Sequence, residues 1–170
     1  RSAALCALAM LGLSVRLFAA ESGCTREALG RAQAVAHMRV TKLADELQEN
    51  GVQHLATLTL CGAAGGLGET REVTVQLAAD KDGHTDFSVP IGSRCVVLLA
   101  PRGGGWQLAG WLGLTDDGKF VDEQAGRSLD LKVGEDADAV VLVLEAKLKK
   151  AGHPAQERPK PPPTGRNQPW

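Results

Sequence analysis

The chain has no tyrosine, and its 170 residues hold three Phe and three Trp. That scarcity removes the usual stacking surfaces for bases and leaves the core to Val, Leu and Ala. There is no excess of either charge: the formal net charge is −1, so no basic field argues for nucleic acid. No Cys-x-x-Cys or Cys/His spacing of a zinc site occurs, and no Gly-x-Ser-x-Gly nucleophile elbow. The Gly-rich stretches 62–68 and 103–105 lack both the dinucleotide fingerprint and a Gly-Lys-Ser/Thr ending, so they read as inter-strand loops. No catalytic residues, metal ligands or cofactor are therefore expected, and the sequence leans away from an enzyme.

Charge is unevenly spread along the chain. Residues 51–144 carry seven Lys/Arg against thirteen Asp/Glu, a net of −6, while residues 145–170 carry six against two, a net of +4. An acidic body thus precedes a basic end. Residues 149–170 hold six prolines and no apolar periodicity, which predicts a disordered, basic tail ending in Trp170. At the other end, Ser2–Val15 is almost wholly apolar before Arg16 interrupts it. Residues 1–22 read as a signal peptide or membrane anchor, with anchoring through residues 2–20, and a buried helix or an organellar transit segment as the alternatives. The expected location is secreted, periplasmic, membrane-anchored or organellar.

Between these ends, Leu29, Ala32, Ala36, Val40, Leu43 and Leu47 recur at helical spacing. Thr25 is placed to cap a helix and Asn50-Gly51 to close it, so residues 23–51 are expected to form one long amphipathic helix. From Val52 the period falls to two. Alternating or apolar runs at 55–60, 72–77, 85–89, 94–100, 106–114, 128–133 and 139–144 are separated by Asp-Gly and Pro-Gly turn signals. Seven such strands point to a mainly β chain: a Greek-key β-sandwich over residues 52–148, preceded by the helix.

Within it, Asp80, Asp82, Gly83, Phe87, Val89, Pro90, Gly92, Ala100 and Pro101 follow an order of hairpin, Pro-x-Gly turn and strand ending in Ala-Pro. Over about residues 55–145 this resembles the carboxypeptidase regulatory-like domains of the transthyretin-like (prealbumin) superfamily. The resemblance implies a transthyretin-like or Ig-like sandwich acting as a non-catalytic accessory module. It does not carry over the superfamily's hydrolase activity, whose Tyr-containing C-terminal motif needs a residue this chain lacks.

Individual residues refine the expectation. Cys61 and Cys95 stand at the end of one strand and the start of another, so a disulfide between them would close a loop worth roughly 3–4 kcal/mol in an oxidising compartment. Trp106 and Trp111 are five apart, which places them on opposite faces of a regular strand, one in the core and one free to bind. With Trp170 they are the candidate binding residues. An enzyme or enzyme accessory domain is the alternative, with a site near His84, Asp86 and Cys95. The leading expectation is an exported module that binds or supports an unidentified protein partner, and a further alternative is an anchored subunit of a membrane or organellar complex.

Overall fold

A computed structural model describes residues 23–49 and 51–151. The expectations for residues 1–22, for most of the tail and for Trp170 fall outside them. The described chain forms a short helix α1 (Arg26–Arg31), strands β1 (Ala34–Gln48), β2 (Gly51–Gly65), β3 (Glu72–Gln76), β4 (Arg94–Arg102) and β5 (Gly105–Gly113), then helices α2 (Glu123–Leu129) and α3 (Ala137–Lys150).

The strands close into a barrel in the order β1-β2-β3-β5-β4. Antiparallel pairing of β1 with β4 shuts one seam, and a short parallel pairing of β3 with β5, at Val75–Trp106 and Gln76–Gln107, shuts the other. This is a five-stranded Greek-key barrel of the kind OB-folds use. It replaces the expected seven-stranded β-sandwich, whether transthyretin-like or Ig-like. Residues 85–89 and 119–121 contribute only isolated bridges to their neighbours. The expected strand at 128–133 is largely the end of α2 and the turn after it, and 139–144 lies inside α3.

Two apolar layers share the wall of the barrel. Ala36, Met38, Val40, Ala56, Leu58, Val75, Cys95, Val97 and Leu99 point inward. Val35, Val96, Leu98 and Leu112 point outward, beneath Val140, Val141 and Leu144 of α3, Ala28 of α1 and Phe120. The unbroken apolar run of β4 follows from this, because both of its faces are covered. The same outer layer explains α3. Ala137, Val140, Val141, Leu144 and Leu148 recur at helical spacing and are buried, whereas Leu142 and Val143 remain exposed. A run of six apolar residues hid that period, and only the longer window from 137 to 148 reveals it.

The expected long helix at 23–51 is also corrected. Helix persists only through Arg31, where Thr25 does cap it by accepting from the Ala28 N–H. Beyond it lies β1, whose apolar spacing imitates a helix because of a bulge. Val40 opposes Leu58 while Lys42 opposes Thr57, so Thr41 is an extra residue. The extra residue reverses the alternation, and Leu43 and Leu47 join the face of Met38 and Val40. Where the helix was expected to close, the chain returns as a hairpin, with Gln48 opposite Gly51 and Gly51 at φ +126°.

Candidate functional site

The β1–β2 hairpin reaches beyond the barrel. β4 accompanies β1 only as far as Arg39, and β3 accompanies β2 only from Leu55 onward. The pairs Asp45–His54, Glu46–Gln53, Leu47–Val52 and Gln48–Gly51 therefore form a two-stranded arm. Such a ribbon is marginal in water by itself and needs something to lean on. One face carries Asp45, Leu47, Val52 and His54, because directly opposed residues share a face. Leu47 is 87% exposed and Val52 54%, side by side near the tip, with Leu43 at 40% behind them.

His54 supplies the support at the base of this face. Its Nδ1 lies 2.7 Å from Asp45 Oδ1 and its Nε2 lies 2.8 Å from the Gly83 carbonyl oxygen. The backbone adds a bond from the Leu77 N–H to the His54 carbonyl at 2.9 Å. Gly83 belongs to a turn at 80–84, in which Asp80 Oδ1 accepts from the N–H groups of Asp82 and His84 at 2.9 Å each. Those bonds hold the Asp80 carboxyl below its ordinary value. For His54, the Asp45 carboxylate above all holds the imidazole pKa above its ordinary value, with the Gly83 carbonyl adding to it against some desolvation.

A second histidine–aspartate pair lies on the outer wall. His37 on β1 is buried and meets Asp138, in the first turn of α3, at 2.8 Å through Nδ1. The same Asp138 oxygen accepts from the Ala63 N–H at 2.9 Å. This is made possible by a wide irregularity in β2: Ala36 opposes Ala64 and Met38 opposes Leu60, so His37 alone faces Cys61, Gly62 and Ala63. Gly62 is required there, since a Cβ would overlap Asp138 Oδ1 and His37 Nδ1. The Ala63 N–H first, and His37 second, hold the Asp138 carboxyl below its ordinary range. His37 Nε2 is buried with no hydrogen-bond partner. The assembly ties α3 to the barrel and offers no free nitrogen for acid–base chemistry at the surface.

The residues expected to bind or react are dispersed. Trp106 and Trp111 are not on opposite faces. Leu98 opposes Gly110 and Leu99 opposes Leu108, so Ala109 is a bulge, and both indoles turn toward the inner layer. Trp111 is buried edge-on against Phe87 at 5.7 Å between ring centroids, and Trp106 is half-buried. Cys61 and Cys95 are free thiols on β2 and β4 with β1 between them, not joined in a bridge. Burial pushes the Cys95 thiol up to about 12, while Cys61 is exposed. His84 and Asp86 lie at the surface while Cys95 faces the barrel interior, so these three do not form a common site. Among the described residues, no group of three or more His, Cys, Asp or Glu is placed to hold a metal ion. No helix among them is long and apolar enough to cross a membrane.

The arm face was not anticipated from sequence, although one signal was present. Asn-Gly between two runs of alternating character is a hairpin motif, and reading it so would have opposed Asp45 to His54 and Leu47 to Val52. Comparison with known proteins returns no matching family model, no matching curated protein and no matching solved structure, and nothing that bears on the transthyretin-like resemblance.

Proposed function

We propose that this chain is an exported, non-catalytic β-barrel module that binds a protein partner through the exposed face of its β1–β2 arm. The observation that carries this reading is the opposed pair Leu47–Val52, two large apolar side chains left in water on a ribbon that leaves the barrel. Covering such a pair contributes about 3 kcal/mol, enough to make it the centre of a small interface. The acids Asp45, Glu46 and Glu49 around it favour a partner surface with basic character at its rim. The described residues, with fourteen Lys/Arg against eighteen Asp/Glu and a net of −4, do not favour nucleic acid. Both polar clusters near the barrel have their hydrogen bonds committed to holding elements together, which supports binding over catalysis. The apolar, signal-like residues 1–22 support export.

The test is a photo-crosslinker placed at position 47 or 52 of the full chain, compared with one at Leu142 on α3. Crosslinking to one protein from the two arm positions, lost in a Leu47→Asp/Val52→Asp double variant of unchanged melting temperature, is the expected result. Wild-type affinity for the partner in that double variant would overturn the reading. Export is tested separately by fusing residues 1–22 to a reporter, and a reporter that stays in the cytosol would remove that part of the proposal.

A further inference from the structure

His54 faces acceptors on both sides. A neutral imidazole has one N–H, so it can serve Asp45 Oδ1 or the Gly83 carbonyl but not both, and its bare nitrogen then meets the lone pairs of the other. At 2.7 and 2.8 Å from two acceptors, the ring has the geometry that an imidazolium donating twice would satisfy. The two acceptors belong to separate parts of the chain, Asp45 to the arm and Gly83 to the turn between β3 and β4. The ring is largely covered, with a side-chain exposure of 16%, and it spans the gap between them.

We propose that His54 is a proton-operated latch, which holds the 80–84 turn against the base of the arm when the ring is protonated and lets the turn go when it is not. The consequence for binding rests on the arm being the contact surface, and so deepens that reading as its regulation. The latch itself does not depend on it.

The charged surroundings fit this role. From β1, Asp45 faces the ring. The other neighbours of His54 on the arm face are Val52, Leu47 and Leu43, which are apolar. From the turn come Asp80, Lys81, Asp82 and His84. Asp80 is occupied by the backbone of the turn and lies 3.8 Å from His84 Nδ1, so it does not compete for His54. The sign follows from the donor count. Protonated, the ring satisfies both acceptors. As the pH rises through a folded-state pKa that lies above the ordinary 6.5, the proton leaves to solvent and one bond is lost. The N–H that remains stays with the charged Asp45 carboxylate, the stronger acceptor, so the turn loses the ring and keeps its own hydrogen bonds and the Ala79–Thr85 bridge.

The experiment uses the full chain in a His84→Asn background, so that the turn region contains one titrating ring. Nitrogen NMR of the His54 side chain, together with amide protection factors at Asp80, Gly83 and His84→Asn corrected for intrinsic exchange, is followed across the neutral range. The expected result is a ring protonated on both nitrogens at pH 6, with a midpoint above 6.5. Protection in the turn should fall about fivefold through the same transition, as loss of one hydrogen bond implies. A His54→Gln variant should show the lower protection at every pH. Should that variant fail to fold, Asp45→Asn is read on the ring itself and should lower its midpoint. A midpoint at or below 6.5, or turn protection equal on both sides of the His54 transition, would overturn the latch. If the latch titrates as expected but the Leu47→Asp/Val52→Asp variant keeps its partner, the arm reading fails and the latch stands. If the ring does not titrate so but the double variant loses its partner, the reverse holds.

Discussion

The two histidine–aspartate pairs of this barrel are nearly identical in contact, at 2.8 Å for His37–Asp138 and 2.7 Å for His54–Asp45, and opposite in use. In each, Nδ1 donates to a carboxylate. What separates them is the other nitrogen and what surrounds it. His37 Nε2 is buried with no hydrogen-bond partner. His54 Nε2 reaches a carbonyl, so a second proton is what its site asks for. One pair clamps a helix to the wall. The other joins an arm to a turn through a ring whose two states differ by a whole hydrogen bond. The chemistry of a pair is therefore set less by its two members than by the third group each ring meets.

That contrast can be broken at several points. The largest effect should come from Gly62→Val, which drives a side chain into the clamp. We expect it to destabilise the fold by about 3 kcal/mol in urea unfolding, with the exchange of α3 amides rising most. Asp138→Ala should come next, at about 2 kcal/mol, because it strands the Ala63 N–H and the buried His37 Nδ1 together. Both bonds end on the same carboxylate oxygen, so Asp138→Asn, which keeps that acceptor, should recover most of the loss. A clamp variant that leaves α3 exchange untouched would show that the helix is held by packing alone.

The pairs should also respond to pH in opposite directions. Asp138 has a carboxyl pKa below its unfolded value, so its contribution is present above the ordinary 3.8 and is lost as pH falls through the depressed value. Protection at the start of α3 should drop only in strong acid. His54 contributes below its ordinary value and loses its contribution as pH rises through the elevated one. Protection in the 80–84 turn should therefore drop on the alkaline side. Amide exchange at the two places, measured from strong acid up to pH 9, checks both signs in one series. The smallest effect is expected for Asp45→Asn, which should leave the global unfolding transition in place and be visible only as a lower His54 midpoint and a looser turn.

Local features of the fold were legible before any tertiary information. The runs at 55–60, 72–77, 94–100 and 106–114 coincide with β2 to β5, and the Asp80–Gly83 signal is a turn. Two of the failures have one physical origin, since periodicity reports a face only where the backbone is regular. The bulge at Thr41 turned a strand's alternation into helical spacing, and the bulge at Ala109 brought Trp106 and Trp111 to one side when their separation predicted two. For α3 the error was of the opposite kind, a true helical period buried in apolar residues that also suit a strand. Of the site, Asp45 and His54 are nine residues apart and were within reach of a hairpin reading. His37 and Asp138 are 101 apart, and nothing local connects them.

What the sequence determined by itself is therefore the short-range content: where the chain turns, which segments are apolar enough to be covered, the acidic body and the scarcity of aromatics. Those depend on dihedral preference and composition, which act within a few residues. The tertiary structure alone decided that β3 and β5 run side by side to close a barrel, that α3 covers its wall, and which histidine gained a second acceptor. Each of these depends on contacts between segments far apart in the chain, and a single extra residue in a strand is enough to exchange the face that makes them.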